Sequence, residues 1–175
     1  GTSANDSSQI IKDIKSGKVG GILLFEYNLN AVNTIKKLAD LTSTLQNAAK
    51  IPLLISIDQE GGQVNRLKTK YGFKAMPSAK TVGDSHSDEY ATQTSFTIAN
   101  ALQLCGINLN YAPVLDIHNP NCPVLGKRQR CYSSNTDSIT HYAGIMIEQH
   151  HQLGIKTVVK HFPGHGSSLN DSHLG

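Results

Sequence analysis

The chain has 175 residues, of which 38% are hydrophobic and 17% charged, and a formal net charge of +3. That length suits one domain able to bury a sizeable core, and nothing argues for a second. Lys and Arg are scattered without a run of five, which argues against a nucleic-acid partner, and no apolar stretch approaches the roughly 20 residues of a membrane span.

Residues 1 to 9 are polar and small, with no apolar leader visible. Residues 6 to 16 then carry Ile10, Ile11 and Ile14 at helical spacing behind an Asp6-Ser7 start signal, with Gly17 as the stop. Val19-Gly20-Gly21-Ile22-Leu23-Leu24-Phe25 predicts a strand buried on both faces. Val32, Ile35, Leu38, Ala39, Leu45 and Ala49 mark one face of a helix over residues 30 to 49. Pro52 to Ile57 forms a second apolar run and ends in Asp58-Gln59-Glu60-Gly61-Gly62.

Residues 64 to 86 show no clear period and predict a long loop with at most short helical turns. Residues 87 to 105 predict a helix whose apolar face includes Tyr90, Ala91, Ala99, Leu102 and Cys105, ended by Gly106. The stretch from Ile107 to Leu115 alternates, apart from Pro113, and leads into Asp116, His118 and Asn119. After an Asn-, Pro- and Ser-rich loop over 118 to 135, a helix over 136 to 152 places Ile139, Ala143 and Met146 on one side. The last strand, Ile155 to Val159, opens into Lys160-His161-Phe162-Pro163-Gly164-His165-Gly166 and Asp171-Ser172-His173.

Strands alternating with helices predict an α/β fold with a parallel sheet, either doubly wound or part of an eight-stranded barrel. No Gly-x-Gly-x-x-Gly follows the first strand, and polar clusters follow at least three strands rather than one switch point. That spread favours a barrel rim, although a closed barrel needs eight strands and about 250 residues. Cys105, Cys122 and Cys131 lack paired metal-ligand spacing; they are free thiols, or Cys122 and Cys131 pair in an oxidising compartment. His161 and His165 sit at the spacing of a metal pair, but Pro163, Gly164 and Gly166 forbid the helix that would align them. His165 is therefore expected to order its turn through hydrogen bonds, Glu60 to have a structural role, and no metal or cofactor to be required. His86, His118, His141, His150 and His151 are expected on surfaces or loops.

Three stretches, Ile57-Asp58-Gln59-Glu60-Gly61-Gly62-Gln63-Val64-Asn65-Arg66, Asn110-Tyr111-Ala112-Pro113-Val114-Leu115-Asp116 and the final Lys160 to His173 cluster, together resemble glycoside hydrolase family 3 in its β-N-acetylhexosaminidase branch. The resemblance runs from Gly20 to the last residues. It implies a partial (β/α)8 barrel, with residues 1–175 an incomplete catalytic barrel domain of about four strands. The implied reaction is removal of terminal β-linked N-acetylglucosamine from peptidoglycan or chitin fragments, with retention through a covalent intermediate. His173 matches the family's loop-borne proton donor and Asp171 the aspartate that orients it. Asp58, Lys160 and His161 match residues that hold sugar hydroxyls, Arg66 a nearby support, and Arg130 the loop arginine placed on substrate. Arg130-Cys131-Tyr132 departs from the family's Arg-Ser-Phe, and Arg128 lies two residues away.

The family's nucleophilic aspartate and first strand have no match here, so the expectation is a trimmed piece, inactive alone, whose partner is the remainder of its own barrel or a second copy. A bacterial cytoplasmic setting is expected, with periplasm or export as the alternative. Three other readings stand beside hydrolysis: phosphate as the acceptor, a sugar-binding fragment without turnover, and a metal-dependent hydrolase built on His161, His165 and His173.

Overall fold

A computed structural model describes residues 1–171. Among these, the elements run α1 (Gln9–Lys15), β1 (Gly21–Leu24), α2 (Thr34–Ala48), β2 (Leu54–Ile57), α3 (Ala79–Asp84), α4 (Asp88–Leu104), β3 (Leu109–Asn110), α5 (Thr136–Gln152) and β4 (Lys156–Thr157). The strands form one parallel sheet in the order β1-β2-β3-β4. Each strand lies beside its sequence neighbour, as in a singly wound barrel; a doubly wound sheet reverses order at a switch point. The chain therefore has the α/β architecture of a partial (β/α)8 barrel.

Local chemistry sets the helix ends. Ser78, Ser87 and Asn135 accept from the backbone N–H groups of Thr81, Tyr90 and Ser138 and so cap α3, α4 and α5. Gly106 and Gly154, with φ of 67° and 75°, turn the chain out of α4 and α5 in a conformation that costs other residues a Cβ clash. α5 spans the expected residues. Residues 64 to 86 hold one 3-10 turn and the six-residue α3.

The core lies between the sheet and the helices, joining Leu24, Ile55 and Ile57 to Ile11, Leu38, Leu45, Leu102 and Met146. Burying each such side chain contributes about 1.5–3 kcal/mol. The prediction that the first strand is buried on both faces fails: Leu24 is 2% exposed but Leu23 is 40%. Register explains it, because Leu24 and Ile57 share the helix-covered face whereas Leu23 shares the opposite face with Ser56, Leu109 and Lys156. Val32 precedes α2 and is exposed, and Tyr90 turns outward from α4, so neither belongs to the apolar face predicted for it. All three cysteines are free and buried. His150 is fully buried, against the expectation of a surface site.

The third strand is much shorter than the alternating stretch that announces it. Pro113 offers no N–H to a ladder, and beyond Asn110 the described pairing thins to one main-chain bond, Tyr111 N–H to the Ile57 carbonyl, on one side and an isolated bridge from Val114 to Lys160 on the other. Asparagine side chains replace missing rungs. Asn108 accepts from Ile55 N–H (2.8 Å) and donates to the Leu53 carbonyl (2.8 Å). Asn110 accepts from Gln59 N–H (3.0 Å) and donates to the Gln59 carbonyl (2.9 Å).

Candidate active site

The β2 exit is held rigid before it offers any side chain to a ligand. Gln59, fully buried, turns its carboxamide back under the loop: Oε1 accepts from the N–H groups of Arg66 (2.8 Å) and Leu67 (3.1 Å), and Nε2 donates to Asn65 Oδ1 (2.7 Å). Gly61 and Gly62 follow with φ of 93° and 56°. A Cβ on Gly61 would stand 2.2 Å from the Pro77 carbonyl oxygen, so only glycine fits that turn. Asp58 and Glu60, on either side of Gln59, are consequently held against one cation. Lys160 Nζ donates to Asp58 Oδ1 at 2.8 Å and lies 2.5 Å from Glu60 Oε1.

The two carboxylates are not equivalent. Arg130 forks onto Glu60, Nε to Oε2 and one terminal nitrogen to Oε1, both at 2.8 Å, and Glu60 is sealed with a side chain 5% exposed. Asp58 keeps 26% of its side chain in the open. Burial disfavours charge on Arg130, yet the Glu60 fork outweighs it and holds the guanidinium above its ordinary pKa.

The β3 exit supplies a different kind of aspartate. Asp116 has a side chain 2% exposed and accepts four hydrogen bonds from the loop after β4: His161 N–H (3.1 Å) and Nδ1–H (2.7 Å) on Oδ2, His165 N–H (2.5 Å) and Gly166 N–H (3.0 Å) on Oδ1. Burial pushes this carboxyl up, but the donations from His165 and His161 outweigh it and leave the pKa below the ordinary carboxylate value. With Nδ1 committed to Asp116, His161 turns Nε2 towards a terminal nitrogen of Arg130 at 3.3 Å. The peptide bonds Lys160–His161 and Phe162–Pro163 are cis. The His161 and His165 rings meet edge to face, centroids 6.2 Å apart.

These groups converge on a cleft of about 670 Å³ at the carboxyl ends of the strands, lined by Asp58, Arg66, Arg128, Arg130, Lys160 and His161 among others. Its cations are Arg66, Arg128, Arg130 and Lys160, facing Asp58 and, just behind, Glu60. Arg66 and Arg128 form no ion pair with any described residue, and the buried Nε of Arg66 has no hydrogen-bond partner there. Such a cleft suits a neutral polyol gripped by charge-assisted hydrogen bonds, with spare positive charge for an anionic group.

The structure thus brings Asp58, Arg66, Arg130, Lys160 and His161 to one cleft. Asp171 is described and engaged in contacts, whereas His173 lies outside the described residues. Arg130 spends its fork on Glu60, so its approach to a ligand is by the edge facing His161; Arg128, exposed on the same lining, is the arginine left open. Sequence reasoning missed Asp116 as the anchor of the loop, and Gln59 and Asn110 as its counterparts on β2 and β3. The available signal was position, since Asn110 ends β3 while Gln59 and Asp116 lie in the loops that follow β2 and β3.

Residues 2–175 match the family model described as the glycosyl hydrolase family 3 N terminal domain. A β-hexosaminidase of Neisseria meningitidis serogroup C / serotype 2a is 36% identical over 163 residues, covering 89% of this chain and 43% of that protein. β-Hexosaminidase A of Pseudoalteromonas piscicida is 36% identical over 165 residues, 90% of this chain and 27% of its own length. Among solved structures, a family 3 β-N-acetylglucosaminidase from Paenibacillus sp. str. FPU-7 superposes with a TM-score of 0.86 at 37% identity, covering 99% of this chain and 32% of that one. NagZ from Neisseria gonorrhoeae in complex with N-trifluoroacetyl-D-glucosamine gives a TM-score of 0.86 at 31% identity, over 99% and 51%. The chain spans less than half the length of these curated relatives. It belongs to glycosyl hydrolase family 3, whose N-terminal domain it matches along nearly its whole length.

Proposed function

We propose that the protein carrying this chain removes a terminal β-linked N-acetylglucosamine from peptidoglycan or chitin-type fragments, with retention of configuration, and that residues 1–175 are part of its catalytic barrel. One observation carries the reading: Asp58, Lys160 and Arg130, held in ion pairs, and His161, hydrogen-bonded through Nδ1 to Asp116, are borne by loops after β2, β3 and β4 and line a single cleft. Paired ions of this kind are pre-organised to exchange hydrogen bonds with sugar hydroxyls without reorienting. The names of the relatives, β-hexosaminidase and β-N-acetylglucosaminidase, agree with this substrate class.

Retention requires a nucleophile on one face of the sugar and a proton donor on the other. His173 is the proposed donor, because an imidazole side chain can give a proton to a leaving oxygen and later take one from water. Asp171 would hold its tautomer. The nucleophilic carboxylate is assigned to a part of the protein outside these residues. Phosphate is a second candidate acceptor, favoured by Arg66 and Arg128 on the cleft lining, which form no ion pair with any described residue.

The decisive test is release of nitrophenol from the nitrophenyl β-N-acetylglucosaminide by the full-length protein, with and without phosphate. His173→Ala should reduce turnover at least 100-fold, the scale of general acid–base catalysis. Wild-type turnover in that variant would remove His173 from the mechanism. Binding of N-acetylglucosamine that depends on Asp58 and Lys160, with no product under any condition, would instead identify a sugar-binding protein.

A further inference from the structure

Behind the cleft runs a buried hydrogen-bonded chain that belongs to none of the substrate contacts. His150, on α5, is fully enclosed. Its Nδ1 lies 2.8 Å from the Met146 carbonyl oxygen, and a carbonyl can only accept, so Nδ1 carries the hydrogen. Nε2 is then a bare acceptor, 3.1 Å from Nδ2 of Asn110. The Asn110 carboxamide is oriented independently, because its Oδ1 receives the backbone N–H of Gln59, which can only donate. Nδ2 therefore donates twice, to His150 and to the Gln59 carbonyl (2.9 Å). Every donor and acceptor in the chain is matched, and only one tautomer of His150 allows it.

The end of this chain matters most. Gln59 stands between Asp58 and Glu60, and both its backbone groups are fixed by Asn110 while its side chain holds the N–H groups of Arg66 and Leu67. The direction in which Asp58 and Glu60 meet Lys160 is thereby set from the helix layer, through one strand and into the next.

We propose that His150 is a positioning residue for the sugar site, acting through Asn110 and Gln59 on Asp58 and Glu60. The proposal rests on the functional reading above for what the site binds, but not for the network itself. Removing the acceptor at Nε2 leaves an Asn110 N–H buried without a partner. The carboxamide then gains from rotating away from Gln59, and the pocket loosens while the fold persists. His150 needs no charge for this task; burial lowers its pKa to about 4, so it is neutral across the physiological range.

The test uses the full-length protein and three variants. His150→Phe fills the volume but accepts nothing; His150→Gln restores an acceptor for Asn110 and a donor for Met146; Ile139→Val, elsewhere on α5, controls for lost stability. His150→Phe is expected to speed amide exchange at Gln59 and to lower kcat/KM at least 10-fold, with His150→Gln recovering to within about 3-fold, as loss and return of one buried hydrogen bond imply. Ile139→Val should leave both readouts at wild-type values. The idea is overturned if folded His150→Phe keeps wild-type exchange at Gln59 and wild-type kcat/KM, or if Ile139→Val loses as much. Should the phenylalanine variant fail to fold, the wild-type imidazole decides: a two-bond nitrogen–proton NMR correlation must show Nδ1 protonated and Nε2 bare, and the opposite tautomer refutes the network. Should the wild type lack glycosidase turnover, the exchange and tautomer readouts still judge the network, so its failure and that of the functional reading are distinguishable.

Discussion

Asp58, which directly follows β2, and Asp116, farther along the loop after β3, are the same residue type on the same side of the sheet, and they do opposite things. Asp58 meets one cation and keeps about a quarter of its side chain open to the cleft. Asp116 is closed off and answers three backbone N–H groups and an imidazole. A carboxylate that spends its lone pairs on backbone shapes a loop, and one that keeps them shapes a ligand. Lone-pair occupancy, more than residue identity or burial alone, separates the two roles.

Asp116→Ala should have the largest effect on stability. It strands one buried donor, Gly166 N–H, and three part-buried ones on His161 and His165, at about 1–3 kcal/mol for the buried one and less for the others, so urea unfolding should show a loss of about 3 kcal/mol or more together with loss of sugar binding. A loss below about 1 kcal/mol would erase the contrast. Asp58→Ala should invert the pattern: sugar affinity falls by about 2 kcal/mol, roughly 30-fold, while stability stays within about 0.5 kcal/mol because Lys160 retains Glu60. Calorimetric titration with N-acetylglucosamine beside a melting curve separates the two outcomes.

Acid sharpens the same comparison. The native Asp116 carboxyl titrates below its ordinary value of 3.8, so its contribution is complete above that pH and is lost as pH falls through the lower native value. Amide exchange at His165 and Gly166 should therefore accelerate only below about pH 4, and Asp116→Asn should abolish that acid step. The smallest effect belongs to Glu26, an outer clamp joining Lys68, Lys70 and Tyr71, whose carboxyl the Lys68 and Lys70 contacts pull down to about 2. It is partly solvated and screened, so Glu26→Gln should cost less than about 1 kcal/mol and less still in high salt.

Much of this was legible in the sequence, for reasons that differ by residue. α5 was readable because its apolar period, Ile139, Ala143 and Met146, is local to the segment. The same period, carried four residues beyond Met146, lands on His150, so its burial was written in a pattern that its polarity obscured. The Asp58 and Lys160 loops announced themselves by type and place. The Arg130 fork could not be read, since it joins residues 70 positions apart and leaves no local mark on either. The shortness of β3 was likewise hidden, because an alternating run does not reveal that carboxamides will replace its rungs.

Those asparagine rungs carry a consequence for heredity. Backbone pairing is blind to sequence, and almost any substitution along an ordinary strand leaves its ladder intact. At Asn108 and Asn110 part of the seam is encoded in side chains, beside the main-chain bonds from Asn108 N–H to the Ile55 carbonyl and from Tyr111 N–H to the Ile57 carbonyl, so one codon change can remove two hydrogen bonds between β3 and the β2 segment and leave the backbone pair standing. The seam beneath the cleft is thus a part of the sheet where a side-chain substitution changes the pairing itself.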